Sequence, residues 1–398
     1  MILKKNYFSL CIAFLIIIIN IPKINLIPIF LQGIRIDDFL ILLFLIFNFN
    51  KISFSKDSLL ILVYITISYL LFFFHLFEFA YEENYKHFYY LKFIQYFLLY
   101  SVLVKNITNN DIIKVILFSA IFQFICGFLQ YLLITPQSIF TIDARATGTT
   151  AGPWEFSVIY GLFFFIIFDY FKNKKFIYII LFFIIFLSVI LITYSRVALI
   201  GIFFVYLLFG RYRIIFLTFL LIVSLFIIYF QLYLNIGYFS LSRSYNFFID
   251  FSDSLFSNFL RGDYYFGGGG VIYDPTNAYY DASLVSRLQQ WGRYLHTFNT
   301  STMPFVSYLF GNGPGGNGDP HTDGMYIKLL VDFGIIGLII YFFLIIKYYI
   351  NNVFVRPGLI FISICCLTID FYWASKIAYT LILFIIFFTN KNKSLNEK

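Results

Sequence analysis

Charged side chains are scarce in this chain. Asp, Glu, Lys and Arg make up 12% of its 398 residues, about half the share in an average soluble domain. With 61% hydrophobic residues and a mean hydropathy of +0.85, an ordinary soluble domain and a disordered chain are both excluded. Cysteine is limited to Cys11, Cys126, Cys365 and Cys366, each inside an apolar run, so neither a disulfide framework nor a zinc site is implied. Histidine is as rare, with His75, His87, His296 and His321 widely spaced. No H-E-x-x-H or similar cluster occurs, and no metal or other cofactor is expected. Alanine and valine give way to 57 Phe and 33 Tyr, residues that A/T-rich codons supply, which speaks of base composition and not of chemistry.

What is there is a succession of apolar runs. Measured against the roughly 20 residues that cross a bilayer, they give about twelve candidate helices near 7–30, 36–50, 57–77, 86–104, 111–134, 153–171, 176–194, 196–210, 214–236, 323–349, 354–372 and 375–390. The expected fold is all-α, a polytopic transmembrane helical bundle with one large external loop that itself contains helices. Lys4 and Lys5 before the first run resemble a signal peptide, but no small-residue cleavage site follows, and the run reads as a first membrane helix. The chain divides into helices one to nine (1–236), the loop (237–322), and helices ten to twelve with a tail (323–398).

Lys and Arg accumulate in cytoplasmic turns. Lys51 and Lys56, Lys105, Lys172 to Lys175, Arg211 and Arg213, Lys347 and Arg356, and Lys391 and Lys393 fall at alternate turns, so both termini are expected in the cytoplasm. The opposite turns hold Asp37, Asp38, Glu78, Glu82, Glu83, Asp143 and the acidic residues of the loop. Topology thus accounts for the net charge of +8, and nucleic acid is not needed as a partner.

Against that pattern three external cations stand out: Arg145 in TIDARATGTTAGPW, Arg196 in TYSRVALIG and Arg287 in SLVSRLQQW. An arginine near apolar surface is costly unless paired or hydrated, which marks it as a site candidate. Each also has a plain reading: Arg145 as a cap of a re-entrant turn, Arg196 as an interfacial side chain reaching water, Arg287 as a solvated residue. In the loop, Leu284, Leu288, Trp291 and Leu295 recur at helical spacing, with Arg287 on the face of Trp291. Pro304 and GNGPGGNGDP predict a flexible turn, which suits backbone anion contacts but lacks the GK[ST] of a nucleotide loop. GGGG at Gly267 to Gly270 reads as a hinge or tip. His321 lies where the loop re-enters the bundle, two residues from Asp323, a position suited to taking a proton from a sugar hydroxyl and equally open to a surface histidine.

SRVALIG at 195–201, SRLQQW at 286–291, FGNGPG followed by His321 and LLVDFGIIGLIIYF, and RATGTTAGPWEF before a span together resemble the O-antigen polymerase and ligase superfamily of polytopic membrane proteins. Their order and spacing carry the resemblance, over roughly residues 140–345. It implies a membrane glycosyltransferase of the GT-C type acting at the outer face of a bacterial inner membrane. Its donor and acceptor would be oligosaccharides linked to undecaprenyl diphosphate, with membrane lipid and a chain-length regulator protein as further partners. On the matching positions Arg196 and Arg287 would bind the lipid diphosphate, Arg145 would support them, and His321 would activate the acceptor. Here His321 is followed by Thr-Asp-Gly instead of the usual Asn or Ser, which leaves open a share for Asp323.

Guanidinium forks neutralise diphosphate without a metal, so the chemistry agrees with the implied reaction. The preferred reading is a surface polysaccharide polymerase, passing the growing glycan to the next lipid-linked repeat unit. A ligase delivering glycan to lipid A core is the alternative, and a flippase without chemistry is the reading from another class. Asp370 and Lys376 would best support transport.

Overall fold

Hydrocarbon cannot hydrogen-bond to a peptide group, so each apolar run has to satisfy its backbone internally and become a helix. The computed structural model describes residues 2–27, 34–76, 87–132, 141–142, 145–172, 176–193, 195–209, 291, 304–313, 324–369 and 374–396. Among them are α1 (Ile2–Asn20), α2 (Ile36–Phe47), α3 (Lys56–Leu76), α4 (His87–Asn106), α5 (Asn109–Tyr131), α6 (Pro153–Phe171), α7 (Phe176–Thr193), α8 (Arg196–Leu208), α9 (Pro304–Phe310), α10 (Met325–Asn351), α11 (Arg356–Cys365) and α12 (Ser375–Asn396). Two very short antiparallel pairs join them: β1 (Asn25–Ile27) with β2 (Ile34–Arg35), and β3 (Thr141–Ile142) with β4 (Arg145–Ala146). The protein is an all-α polytopic bundle. By length and composition α5, α6 and α10 are long and apolar enough to cross a membrane.

Some expected boundaries move. The first helix stops at Asn20 instead of near residue 30. The Asn20 amide donates to the Ile16 carbonyl at 2.8 Å and to Ser119 Oγ at 2.8 Å, and Pro22 then cannot continue the helix. Pro304 opens a helix instead of a flexible turn, because a residue without an N–H suits a first helical position. The span expected to 372 ends as a helix at Cys365. The expected span at 214–236 and most of the long loop, with GGGG at 267–270, lie outside the described residues.

The chain forms two compact units, Met1–Phe204 with Ile339–Lys398, and Val205–Leu338. In the first, α6 is the centre, packed by α5, α7, α11 and α12 and buried at Pro153 and from Glu155 to Asp169. Aromatic rings fill that centre, Phe164 stacking on Phe186 at 5.6 Å between centroids. Close approach needs glycine: a Cβ at Gly161 would lie 2.2 Å from the Phe361 ring, so the ring of α11 packs directly on the backbone of α6 there. Helix α5 is polar inward, with Ser119, Gln123 and Gln130 buried. Phe118, Ile121, Phe122, Ile125 and Phe128 face outward, the pattern of a helix solvated by lipid.

One end of this unit collects cations. Lys172 pairs with Asp169 at 2.7 Å and Lys391 pairs with the same carboxylate, both ammonium groups lying over the Phe354 ring at 5.3 and 4.1 Å. These basic residues are among those the charge pattern assigns to the cytoplasm.

In the second unit, α10 carries a break at Gly334, whose φ is +67°. Leu309 of the loop backbone lies so close that a Cβ at Gly334 would be 2.3 Å from its carbonyl. The amides of Asn312 and Gly313 donate to the Val331 and Asp332 carbonyls at 2.8 and 3.0 Å. The groups that a helix break frees are thus used to seat the start of the glycine-rich segment.

Candidate functional site

The turn after Arg145 is held by side chains of α5. Gln130 Oε1 accepts the Thr147 and Gly148 amides at 3.1 and 2.8 Å, and its Nε2 donates to the Gly148 carbonyl at 2.7 Å. Gln123 Oε1 accepts the Thr149 amide at 2.9 Å, while its Nε2 donates to Thr149 Oγ1 and the Ile19 carbonyl. Gly148 has φ +59°, and a Cβ there would sit 2.6 Å from Gln123 Oε1. Only glycine suits both the left-handed backbone and the space. Two buried amides inside an apolar run therefore define the local fold of ATGTTAG.

Charged groups from α2, α4, α6, α12 and β2 gather around the same turn. Lys376, at the start of α12, donates from Nζ to the Ile21 carbonyl at 2.6 Å, to Thr149 Oγ1 at 2.8 Å and to the Thr149 carbonyl. Its main-chain amide donates to Glu155 Oε1 at 3.2 Å, and the Ala151 amide donates to Glu155 Oε2 at 2.6 Å. Asp37 Oδ2 accepts from Ser375 Oγ at 2.8 Å and Tyr379 OH at 3.0 Å. Arg35 Nη1 donates to Ser375 Oγ at 3.3 Å, and Lys92 pairs with Asp38 at 3.4 Å. A small pocket opens here, lined by Lys23, Arg35, Asp37, Glu155 and Lys376 among others. Burial, and the nearby Arg35 cation after it, lower the Lys23 ammonium to about 8.

Arg145 itself is in β4, opposite Ile142, and β4 packs on α5 and α7. Arg196 is the first residue of α8. The residue before it, Ser195, accepts a hydrogen bond from Ser157 Oγ of α6 at 2.7 Å, which ties the entry of α8 to the entry of α6. The backbones of both arginines thus belong to one end of the first unit, and their side chains lie outside what is described. Arg287 and His321 also lie outside the described residues, as do His75, His87 and His296 in their side chains, Asp323, and Asp370.

Next to the loop candidates two positions are described. Trp291 is helical, as the spacing around Arg287 predicts. Its indole lies against Gly324, where a Cβ would be 2.9 Å from Nε1. Trp291, which ends the motif SRLQQW, and Gly324, three residues after His321, therefore touch within the second unit. Just beyond, Lys328 and Asp332 pair at 3.2 Å with both side chains fully buried.

Sequence reasoning missed most of the polar cluster. It took Asp37 and Asp38 as charges of external turns, gave Lys376 a part only in the transport reading, and gave Gln123, Gln130 and Glu155 no role. The available signal was a polar residue inside or at the very edge of an apolar span, which in a bundle interior has to find partners. Among the described residues no three His, Cys, Asp or Glu side chains gather as metal ligands.

No curated protein and no solved structure matches the chain. Residues 180–342 match the family model described as O-antigen ligase, a segment that begins within α7 and takes in Arg196, Arg287 and His321, and this match supports the O-antigen polymerase and ligase superfamily for the chain.

Proposed function

We propose that the protein is a surface polysaccharide polymerase of the GT-C type, transferring the growing glycan from undecaprenyl diphosphate to a sugar hydroxyl of the next lipid-linked repeat unit. The observation that carries this reading as far as glycan transfer of the polymerase or ligase kind is the family match over residues 180–342, because that interval contains three of the four residues to which the chemistry is assigned. Family members act in O-antigen assembly, and the finer roles follow from chemistry. Arg196 and Arg287 neutralise the diphosphate as it leaves, with Arg145 in support, since guanidinium groups bind phosphate oxygens in a fixed fork. His321 takes the proton of the attacking hydroxyl. The reaction proceeds in the inner membrane with the site on the periplasmic side.

The description of the matched family as a ligase favours a second reading, transfer of the glycan to lipid A core. Deletion separates the two. Loss of a polymerase leaves single repeat units on the core, whereas loss of a ligase leaves polymer on its lipid carrier. Transport without chemistry has less support, because the Lys376 ammonium already serves three acceptors of the surrounding backbone and Thr149.

The direct test is polymerisation of a synthetic undecaprenyl-diphosphate repeat unit by the purified protein, with chelator present. Arg196→Ala and Arg287→Ala are expected to lower the rate by about a hundredfold or more. If both insert normally and still make full-length glycan, the enzymatic reading is wrong. Retained activity in His321→Ala would remove the base role alone.

A further inference from the structure

We propose that Lys376 is a positioning residue, acting through the turn at Thr147 to Gly152 to set the backbones from which Arg145 and Arg196 project. The inference rests on the reading above that these arginines serve the donor diphosphate. Lys376 lies outside the segment matched by the family model.

The ammonium of Lys376 has three N–H groups and three acceptors, the Ile21 carbonyl, the Thr149 carbonyl and Thr149 Oγ1, so its donor capacity is filled. None of these acceptors is a carboxylate. Replacing buried charges by apolar side chains of similar volume is often neutral or stabilising, so the role assigned to this cation is a fixed geometry and not net stability. Glu155 completes the clamp, one oxygen on the Lys376 amide and the other on the Ala151 amide. The turn is thereby gripped at 149 and 151 from α12 and α6, and at 147 to 149 from the glutamines of α5.

Both ends of the gripped segment lead to an arginine. Upstream, β4 places Arg145 two residues before Thr147. Downstream, Gly152 leads into α6, and Ser157 on its first turns holds Ser195, next to Arg196. A shift of the turn moves both backbones together. Chemistry that depends on a bidentate phosphate clamp is sensitive to such a shift, since misplacement by about an ångström reduces rate by up to roughly a hundredfold.

The test uses the full-length protein in lipid nanodiscs, with donor and acceptor concentrations varied separately. Lys376→Met keeps the length of the side chain and removes its donors. Thr149→Val removes one acceptor while keeping the shape, and Thr149→Ser restores the hydroxyl. Lys376→Met and Thr149→Val are expected to raise the donor KM by about tenfold with the acceptor KM unchanged, and Thr149→Ser to retain the wild-type value. In an Arg145→Ala background the effect of Lys376→Met is expected to shrink, since the two act on one interaction. Folded Lys376→Met or Thr149→Val protein with an unchanged donor KM overturns the inference, as do equal rises in both KM values. If Lys376→Met does not fold, the Thr149→Val and Thr149→Ser pair decides. Failure of the underlying reading shows differently: Arg196→Ala and Arg287→Ala would then polymerise normally whatever Lys376 does, and the inference would fall with it.

Discussion

Lys23 lies just past the end of α1 in a pocket shared with Arg35, Asp37 and Glu155. Its burial, then the Arg35 and Lys92 cations, outweigh the attraction of Glu155 and Asp37 and bring it from 10.5 down to about 8. The folded value is below the unfolded one, so between pH 8 and 10.5 the unfolded chain binds more protons and stability rises with pH. Below pH 8 the penalty for the charged form is present in full. Lys23→Met should therefore melt above wild type at pH 7, with the difference shrinking as pH approaches 10, as a thermal unfolding series in detergent would show. Gly148→Ala makes a simpler case at this scale. With φ at +59° and Gln123 Oε1 2.6 Å from the added Cβ, it should lose about 1–3 kcal/mol, readable as a lowered melting temperature. The sequence contained both residues, but only the assembled end of the bundle shows what surrounds them.

Two glycine contacts between elements differ in what opposes a side chain. At Gly161 the obstacle is the ring of Phe361, and at Gly334 it is the main chain of Leu309. A ring can be exchanged, whereas a backbone cannot move without its element. Gly161→Ala should therefore destabilise the bundle and be largely rescued by Phe361→Leu, while Gly334→Ala, strained further by its positive φ, should have no single-site rescue; yields of folded protein by size-exclusion chromatography separate the two outcomes. At this scale the sequence is most informative where length and punctuation agree. Helix α6 occupies residues 153–171 as hydropathy predicts, because Pro153 fixes its start and polar residues follow its end. Hydropathy alone runs past Asn20 and Pro22, where a side-chain amide turned toward Ser119 ends the helix through a tertiary contact that no window average detects. Pro304 misleads in the other direction, since the same residue that breaks a helix interior begins a helix well.

For the whole molecule, the charge pattern and the packing agree on which residues share an end of the first unit. Lys172 and Lys391 meet at Asp169, whereas Lys376, Glu155 and Asp37 meet around Thr149 and Ser375. Single cysteines placed at Asn106 and Asn392 should react with a permeant maleimide only, and one at Ile24 with an impermeant reagent added outside; the reverse pattern would invert the assigned topology. The candidate site was legible as residue types and as an order of motifs, because arginines against the positive-inside trend and a histidine at a span edge are visible in one dimension. The polar cluster around Thr149 was not, because Gln123, Gln130 and Glu155 are unremarked polar residues until α5 and α6 fold onto the turn between them and α12 brings Lys376 from far along the chain.

The bond from Lys376 to the Ile21 carbonyl joins positions 355 residues apart. Helices that enter the membrane in order from the ribosome can pair as neighbours arrive, but Thr149 and Ile21 must wait for α12. Until α12 is in place their carbonyls lack the Lys376 amine, so this clamp is added to a turn that the α5 glutamines have already shaped. A bundle that has inserted only α5 and α6 therefore holds the turn through Gln123, Gln130 and Glu155, without the cation that later joins it to the end of α1.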